Sequence, residues 1–276
     1  ITRSTDNGSS WDNETCQILT DLRGVTSGNN TFVAVGNEGK ILRSTDNGSS
    51  FSTVAPYNSR RNAHKVTFGN NTFVGVSANG KIGISTDNGS TFSEVTSSTG
   101  NHLYGVTFGN NTFVGVGQNG RIVRSTDNGA SWNSATSGNI QPTSGNIQLQ
   151  GITFGNNTFV GVGNSGKIVR STDNGSSWDN ATSAISPHFR EITFGNNTFV
   201  AVAYSGKIVR STDNGSTFSE VTSPIGTNLY GVTFGNNTFV AVGRSGKIVR
   251  STDNGSSFSE VTSPITTDLN EVSFSE

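Results

Sequence analysis

The chain has 276 residues and a formal net charge of −1, and only 13% of its residues are charged. Such a balance creates no overall field that attracts nucleic acid or an anionic membrane surface, and no apolar run approaches the ~18 residues of a membrane-spanning helix. We therefore expect no nucleic-acid partner and no membrane insertion. The 35 glycines, with frequent Ser, Thr and Asn, separate short β-branched runs, which indicates an all-β fold.

A short motif, Ser-Thr-Asp-Asn-Gly, recurs seven times at intervals of 40, 41, 40, 46, 40 and 40 residues. Its aspartates are Asp6, Asp46, Asp87, Asp127, Asp173, Asp213 and Asp253. The single longer interval contains a local duplication, in which 143–148 nearly repeats 136–141. A tandem repeat of about 40 residues has the period of a four-stranded propeller blade.

One repeat unit, 229–264, divides into four short strands. They are strand a at 230–234, strand b at 238–242, strand c at 247–252 and strand d at 257–262. Asn and Gly occupy the turns between them, since both residues reach positive φ at low cost. Strand b reads Phe-Val-Ala/Gly-Val and is apolar on both faces, as expected for a sheet that is packed on both sides by its neighbours.

The chain begins in the middle of a unit, with strand c at Ile1 and strand d at Trp11, and ends on a strand a. Strands a, c and d each occur seven times, but strand b occurs six times. We predict one domain, 1–276, folded as a seven-bladed β-propeller. Six blades lie within 21–264, and the N- and C-terminal segments, 1–20 and 265–276, pair to form the closing blade.

The closing blade lacks a strand b in this sequence. Adding 11 residues to 276 gives 287, which is seven repeats plus the insertion. The closing blade is therefore expected to be either defective or completed by residues outside this sequence. A β-solenoid also fits a β repeat, although its coils are usually shorter.

The Ser-Thr-Asp-Asn-Gly-Ser-Ser-Trp motif resembles the Asp-box of sialidases, sortilin-like receptors and photosystem II assembly factors. The first copy matches at Ser4, Asp6, Gly8 and Trp11, and the resemblance extends over essentially the whole chain. It implies a propeller in which this turn joins strands c and d, away from any active site. We expect the seven aspartates to be structural, accepting backbone N–H groups of their own turns. One carboxylate per turn is too few for calcium, so no metal site is expected.

The repeat units differ at the starts of strand a and the ends of strand b, which share one face of the disc. The polar and aromatic residues at these places are the candidate ligand-binding residues, because such groups at the mouth of a channel suit a polar ligand. They are Arg23, His64, Tyr104, Gln150, Arg190, Tyr204, Tyr230, Arg244 and Asn270. Alternatively, these positions are tolerant, exposed loop ends. Since His64, His102 and His188 have different offsets, no three-histidine metal site is expected.

An enzyme is not expected, and no catalytic residue or cofactor is assigned. Sialidase-like hydrolysis needs an arginine cluster, a tyrosine nucleophile and carboxylates in a set geometry. Six arginines, however, are the repeat arginine of strand c.

Three functional hypotheses follow. The first is a glycan-binding, lectin-like module, because similar blades offer several weak sites whose affinities multiply. The alternative is a protein-binding scaffold similar to the photosystem II assembly factor family, which shares the Gly-Lys-Ile/Val-x-Arg-Ser-x-Asp run. The third is an amplified or designed repeat without a specific ligand. Abundant Asn-x-Ser/Thr turns, which would crowd the blades if glycosylated, favour a bacterial, secreted or cell-surface protein.

Overall fold

The computed structural model describes residues 1–13, 20–55, 62–135 and 147–275. Within these ranges there are five four-stranded antiparallel sheets, a sixth sheet in which four antiparallel strands carry one additional short parallel strand, and one two-stranded hairpin. The innermost strands of successive sheets contact one another around a common axis. The predicted all-β propeller with four-stranded antiparallel blades is confirmed, but the predicted number of seven is wrong, because six blades are complete.

Strands β1 (Thr2–Arg3) and β2 (Asp12–Asn13) form the hairpin. Blades 1 to 3 follow in chain order and consist of β3 (Leu22–Gly28), β4 (Thr31–Gly36), β5 (Ile41–Ser44) and β6 (Ser52–Val54); β7 (Ala63–Gly69), β8 (Thr72–Ser77), β9 (Lys81–Ser85) and β10 (Ser93–Thr96); and β11 (Leu103–Gly109), β12 (Thr112–Gly117), β13 (Ile122–Ser125) and β14 (Asn133–Ser134).

Blades 4 to 6 have the same plan, with one additional short strand, β19, that pairs in parallel with β23. They consist of β15 (Leu149–Gly155), β16 (Thr158–Gly163), β17 (Ile168–Ser171) and β18 (Asp179–Asn180); β19 (Thr182–Ser183), β20 (Phe189–Gly195), β21 (Thr198–Ala203), β22 (Ile208–Ser211) and β23 (Thr217–Val221); and β24 (Leu229–Gly235), β25 (Thr238–Gly243), β26 (Ile248–Ser251) and β27 (Ser259–Val261).

Three kinds of turn connect the strands, and each uses left-handed residues. In blade 6 the a–b turn places Asn236 and Asn237 at φ of 43° and 57°, which is the type I′ geometry that matches the twist of a hairpin. The b–c turns are tight. In five of the six blades the b–c turn is a single 3-10 turn that ends in a glycine with positive φ, such as Gly246 at φ of 72°. The c–d turn uses an Asn-Gly pair, and both residues have positive φ.

The c–d turn is held by its aspartate. In blade 2, Asp87 accepts hydrogen bonds from the Thr91 backbone N–H (2.9 Å), the Thr91 hydroxyl (2.6 Å) and the Ser85 hydroxyl (2.7 Å). The Ser85 hydroxyl in turn accepts the N–H of Gly89. These hydrogen bonds, led by that from the Thr91 hydroxyl, lower the pKa of Asp87 to about 2. The carboxylate therefore accepts hydrogen bonds from donors of its own turn, as expected of a structural residue.

The core lies between blades. Strand b is buried over its whole length in blades 2 to 6, and its valines pack against the next blade. In one such cluster, Val160 and Val162 of blade 4 pack with Ile192, Phe199 and Val209 of blade 5. Burying both faces of strand b explains why it lacks the polar alternation of a half-exposed strand.

Neighbouring blades are also joined by a repeated pair of polar contacts. Arg43 Nε of blade 1 donates to the Asn88 carbonyl oxygen of blade 2 (2.8 Å), and Asn88 Nδ2 donates to Thr31 Oγ1 (2.7 Å). Equivalent asparagine–threonine contacts follow at Asn128, Asn174, Asn214 and Asn254. These bonds fix the orientation of each blade against its predecessor.

The closing sector, which we define as residues 1–13 and 270–274, occupies the remaining position of the ring. A methyl group on Gly235 would lie 2.0 Å from Phe274 Cγ, and the equivalent glycines of earlier blades meet the equivalent phenylalanines of the next strand a. On the other side, Ser27 donates to the Phe274 carbonyl oxygen (3.0 Å) and Asn270 Nδ2 to that of Leu22 (2.9 Å). Residues 270–274 therefore stand where a first strand belongs.

The hairpin of the closing sector stands where strands c and d belong. Arg250 of blade 6 donates to the carbonyl oxygen of Asn7 (2.9 Å), which is the contact that Arg43 makes with Asn88. The N- and C-terminal segments do not pair with each other in the described part of the chain, contrary to the predicted closure. The reason is geometric: a strand b would have to lie between them. The boundary of the closing blade at 14–19 and the duplication at 136–146 lie outside the described residues.

No helix within the described ranges is long and apolar enough to cross a membrane.

Candidate functional site

The variable residue at the start of each strand a sits on a β-bulge. The register between strands a and b shifts at this residue in all six blades, for example between Leu22 and Gly24 and between Leu229 and Gly231. A bulge re-aims the side chain that it carries, here towards the axis at the face where the predicted site residues lie. The bulged residues are Arg23, His64, Tyr104, Gln150, Arg190 and Tyr230.

Arg190 is the best-connected of these residues. Its guanidinium carbon lies 5.7 Å from the ring centroid of Tyr204 and 5.9 Å from that of Tyr230, within the range of cation–π attraction. The two tyrosine rings meet edge to face at 6.4 Å, and His188 stacks on Tyr204 at 5.9 Å. Arg190 Nη1 also donates to Gln150 Oε1 at 3.4 Å.

A second aromatic group lies beside blades 2 and 3. His64 contacts Tyr104 edge to face at 5.3 Å, and His102 stacks on Tyr104 at 6.2 Å. The pKa of His64 is lowered to about 4, first by burial and then by the positive charges of Arg23, His102 and Arg190. His64 is therefore neutral near pH 7. Arg23 of blade 1 and Arg190 of blade 5 both lie close enough for their charges to act on it.

The other predicted site residues are arranged less closely. Arg23 Nε donates to Asn37 Oδ1 at 2.6 Å, and Asn270 is held against the Leu22 carbonyl oxygen. Arg244 is exposed on its b–c turn, outside the contacts above. We define the mouth cluster by the side chains that the fold directs to this end of the axis: Arg23, His64, Tyr104, Gln150, Arg190, Tyr204, Tyr230 and Asn270.

A buried ion-pair network closes the axial channel directly below the mouth cluster. Lys65 Nζ contacts both Glu191 Oε2 and Glu271 Oε2, so blade 2 is joined across the axis to blade 5 and to the closing sector. Their side chains are 15%, 8% and 10% exposed. We call these three residues the channel triad. Its two carboxyl groups and one ammonium leave one negative charge when all three are ionised.

The pKa values within the channel triad are strongly perturbed. Burial raises the pKa of Glu271 to about 7; the ammonium of Lys65 opposes this shift and the charge of Glu191 adds to it. For Lys65, burial is the largest influence and lowers the pKa, but the two carboxylates together outweigh it and raise the pKa. The lysine therefore remains charged, and Glu271 takes up a proton near neutral pH.

We expect the free energy of unfolding to depend on Glu271 between pH 4.5, its ordinary pKa, and about 7. In this window the folded chain binds more protons than the unfolded chain, so the stability due to this group is fully present below 4.5 and is lost as the pH rises through 7. Denaturant unfolding of the wild type and of Glu271→Gln at several pH values measures it: the wild type should lose stability relative to the variant as the pH rises.

The difference between the two proteins is needed because His64 acts in the opposite direction. Its folded pKa is depressed from 6.5, so its contribution is lost as the pH falls. A pH-independent difference between the wild type and Glu271→Gln would show that Glu271 does not titrate in this range.

The channel triad is the feature that sequence reasoning missed. The residue before the central Val or Ile of the strand a pattern is glycine in four of its seven copies, but it is Lys65, Glu191 and Glu271 in the other three. The change from glycine to charges of opposite sign at one repeat position was the available signal. The three histidines fall at different offsets, and within the described ranges no group of three His, Cys, Asp or Glu side chains is arranged to hold a metal ion.

No family model and no curated protein matches this chain. Among solved structures, it is similar to "YCF48 bound to D1 peptide", with a TM-score of 0.72 and 16% identity over 95% of this chain and 87% of that one. It is similar to YCF48 from Cyanidioschyzon merolae, with a TM-score of 0.73 and 16% identity over 92% and 90% of the two chains.

A computationally designed protein, Ika8, is also similar, with a TM-score of 0.64 and 14% identity over 93% of this chain and 79% of that one. At these identities the likeness concerns the fold. The chain is a β-propeller of the same architecture as YCF48.

Proposed function

We propose that this chain is a non-enzymatic binding protein that holds a segment of another protein across the mouth cluster. The observation that carries the proposal is the convergence of Arg190, Tyr204 and Tyr230 with Arg23 and His64 at one end of the axis. Six blades contribute one bulged residue each, so the site is composite rather than repeated.

The channel triad lies at the base of this site. Lys65 crosses the axis and neutralises one carboxylate, while the arginines above it face the mouth. Because His64 is neutral near pH 7, the positive charge of the mouth is carried by Arg23 and Arg190. A ligand with a carboxylate complements these guanidinium groups, and the tyrosines offer flat apolar surface beside them.

The ligand class follows from this chemistry and from the fold comparison. A peptide can present a carboxylate, backbone carbonyl oxygens and apolar side chains together, whereas a neutral glycan leaves the two arginines without a charged partner. YCF48, which shares the fold, has been solved with a peptide bound. These observations favour the protein-binding alternative over glycan binding.

Selection of a displayed random peptide library against the wild-type chain, with a glycan array run in parallel, tests the proposal. We expect selected peptides to carry an Asp, a Glu or a free C-terminal carboxylate. Arg190→Gln should bind them roughly 10- to 100-fold more weakly, the loss expected for one charged hydrogen bond. The matched control is Lys207→Gln, because Lys207 pairs with Glu220 on the outer strands. Lys207 follows the turn that carries Tyr204, but its ammonium pairs with a carboxylate of the outer strand β23, so the charge removed is not part of the mouth cluster.

The outcomes separate the hypotheses. Selected peptides that bind Arg190→Gln as well as the wild type would contradict the proposed site. Saturable binding on the glycan array that is lost in Arg190→Gln, with no peptide selected, would instead support the glycan hypothesis. Absence of binding in both experiments would contradict the proposal. The remaining hypothesis would then be an amplified or designed repeat that has no ligand.

A further inference from the structure

The incomplete closing sector contains a large cavity of about 850 Å³. The C-terminal segment 270–274 borders it on the inner side and β1 on the outer side. In a complete blade, strand b fills the space between these two elements. We call this cavity the blade slot.

The first feature is an amide that faces the slot. In each of five filled blades, the Asn of the following c–d turn donates its Nδ2 to the first Thr of strand b, at 2.7–2.8 Å. The corresponding residue beside the slot is Asn47, which lines the cavity. A strand in the slot would offer Asn47 a hydroxyl acceptor at its first position.

The second feature is an aromatic space. In blade 3, Phe113 at the second position of strand b packs between Phe108 of strand a (centroids 4.6 Å) and Trp132 (6.3 Å). The corresponding residues of the closing sector, Phe274 and Trp11, both line the cavity and are partly exposed. By analogy with Phe113, a phenylalanine at the second position of an added strand would lie between them.

The third feature is a glycine without the valine contact that its equivalents make. A methyl group on Gly89 would lie 2.8 Å from Val33 Cγ2 of the preceding strand b, and one on Gly255 would lie 2.9 Å from Val200 Cγ2. At Gly48, beside the slot, no valine is among the three nearest atoms of the described residues, and the closest atom is Arg3 Cδ at 3.7 Å. Arg43 Cδ lies at 3.6 Å from the same point of Gly89, so the hairpin is correctly placed and the valine alone is missing.

We propose that the blade slot is a binding site for one extended peptide with the pattern Thr-Phe-Val-Gly/Ala-Val, which adds as a strand antiparallel to β1 and to 270–274. The three features above meet its Thr, Phe and Val in sequence order. Its backbone would use the ladder positions that the flanking segments leave open, as in β-strand addition. The site is separate from the mouth cluster, and its ligand is apolar rather than acidic.

The test uses the full chain and a synthetic peptide with the sequence of residues 235–247, Gly-Asn-Asn-Thr-Phe-Val-Ala-Val-Gly-Arg-Ser-Gly-Lys. We expect saturable 1:1 binding by calorimetry and a higher thermal midpoint of the chain with peptide. Replacing Phe by Ser in the peptide should weaken binding roughly 100-fold or more, since the aromatic space would be left empty. A peptide of the same composition in scrambled order should not bind.

The matched variants of the chain are Asn47→Gly and Asn88→Gly. Both residues have left-handed backbone conformations, with φ of 57° and 59°, but only Asn47 faces the slot. Asn47→Gly should weaken peptide binding about tenfold, whereas Asn88→Gly and the mouth variant Arg190→Gln should bind as the wild type does. Absence of saturable binding, equal affinity for the scrambled peptide, or equal loss in Asn88→Gly would each overturn the proposal.

Discussion

Replacing Lys65 by Met should lower the free energy of unfolding at pH 7 by about 3–5 kcal/mol. Lys65 is the one cation of the channel triad, and its removal leaves Glu191 and Glu271 buried together without a counter-charge. Methionine keeps most of the volume of the side chain, so the loss reflects charge more than packing. Denaturant-induced unfolding followed by tryptophan fluorescence measures it.

Two comparisons identify charge as the cause. The penalty should shrink at pH 5, because protonation of Glu271, whose pKa burial raises to about 7, removes part of the uncompensated charge. The triple variant Lys65→Met/Glu191→Gln/Glu271→Gln should recover much of the lost stability, as replacement of a whole buried ion-pair network often does. A Lys65→Met protein as stable as the wild type at pH 7 would contradict the buried triad.

Replacing Gly109 by Ala should destabilise the chain by roughly 1–3 kcal/mol through overpacking. A methyl group at this position would lie 2.1 Å from Phe154 Cγ of the next blade. No backbone strain is involved, since Gly109 does not have positive φ. The same glycine–phenylalanine contact recurs at each junction from blade 1 to the closing sector, so the result applies to all of these junctions. Thermal and denaturant unfolding measure the effect.

The matched control is Gly100→Ala, because no heavy atom in the described part of the chain lies within 4 Å of a methyl group placed there. Its stability should change little. A double-mutant cycle provides the sharper test: the cost of Gly109→Ala should be smaller in a Phe154→Ser background than in the wild type. Equal costs in both backgrounds would show that the glycine does not serve to admit the ring of Phe154.

The junction between the closing sector and blade 1 follows the same rule with different residues. Here the phenylalanine position of blade 1 is occupied by Ser27, whose hydroxyl donates to the Phe274 carbonyl oxygen. The glycine position that precedes it is occupied by Ser275. Where the glycine is absent, the phenylalanine is absent too. This paired exchange supports direct contact between 270–274 and β3.

Much of the fold was predictable because each blade is specified locally. In blade 6 the predicted strand b, 238–242, is β25 (Thr238–Gly243), and the predicted strand a, 230–234, is β24 (Leu229–Gly235). The Asn-Asn and Asn-Gly turns fix both hairpins, and Phe-Val-Ala-Val is apolar on both faces. Strands c and d are shorter than predicted, since the long Asp turn takes up residues at their ends.

The closure of the ring and the channel triad were harder to predict from the sequence. Counting strand types located the missing strand b, but the number of complete blades depends on whether 1–13 and 270–274 pair, which no local pattern decides. Lys65 meets Glu191 and Glu271 across the axis, at separations of 126 and 206 residues. Such contacts arise from the size and symmetry of the whole ring rather than from any short segment.

The mouth cluster was predictable as a list of variable positions but not as a geometry. Comparing units identified Arg190, Tyr204 and Tyr230, yet the alternation of strand a does not reveal the bulges that bring Arg190 and Tyr230 together beside Tyr204 of a b–c turn. Arg244 varies between units in the same way and is exposed on its turn. Variation between repeats therefore marks the correct face of the disc without showing which residues meet on it.

The central claim is that six complete blades are joined by a closing sector that lacks a second strand between 270–274 and the β1–β2 hairpin. A crystal structure of the free chain tests it most directly. We expect six four-stranded blades, 270–274 against β3 and blade 6, and an open slot between this segment and the β1–β2 hairpin. Direct hydrogen-bonded pairing of 270–274 with 1–4, or a ring closed by blades 1 and 6 alone, would contradict it.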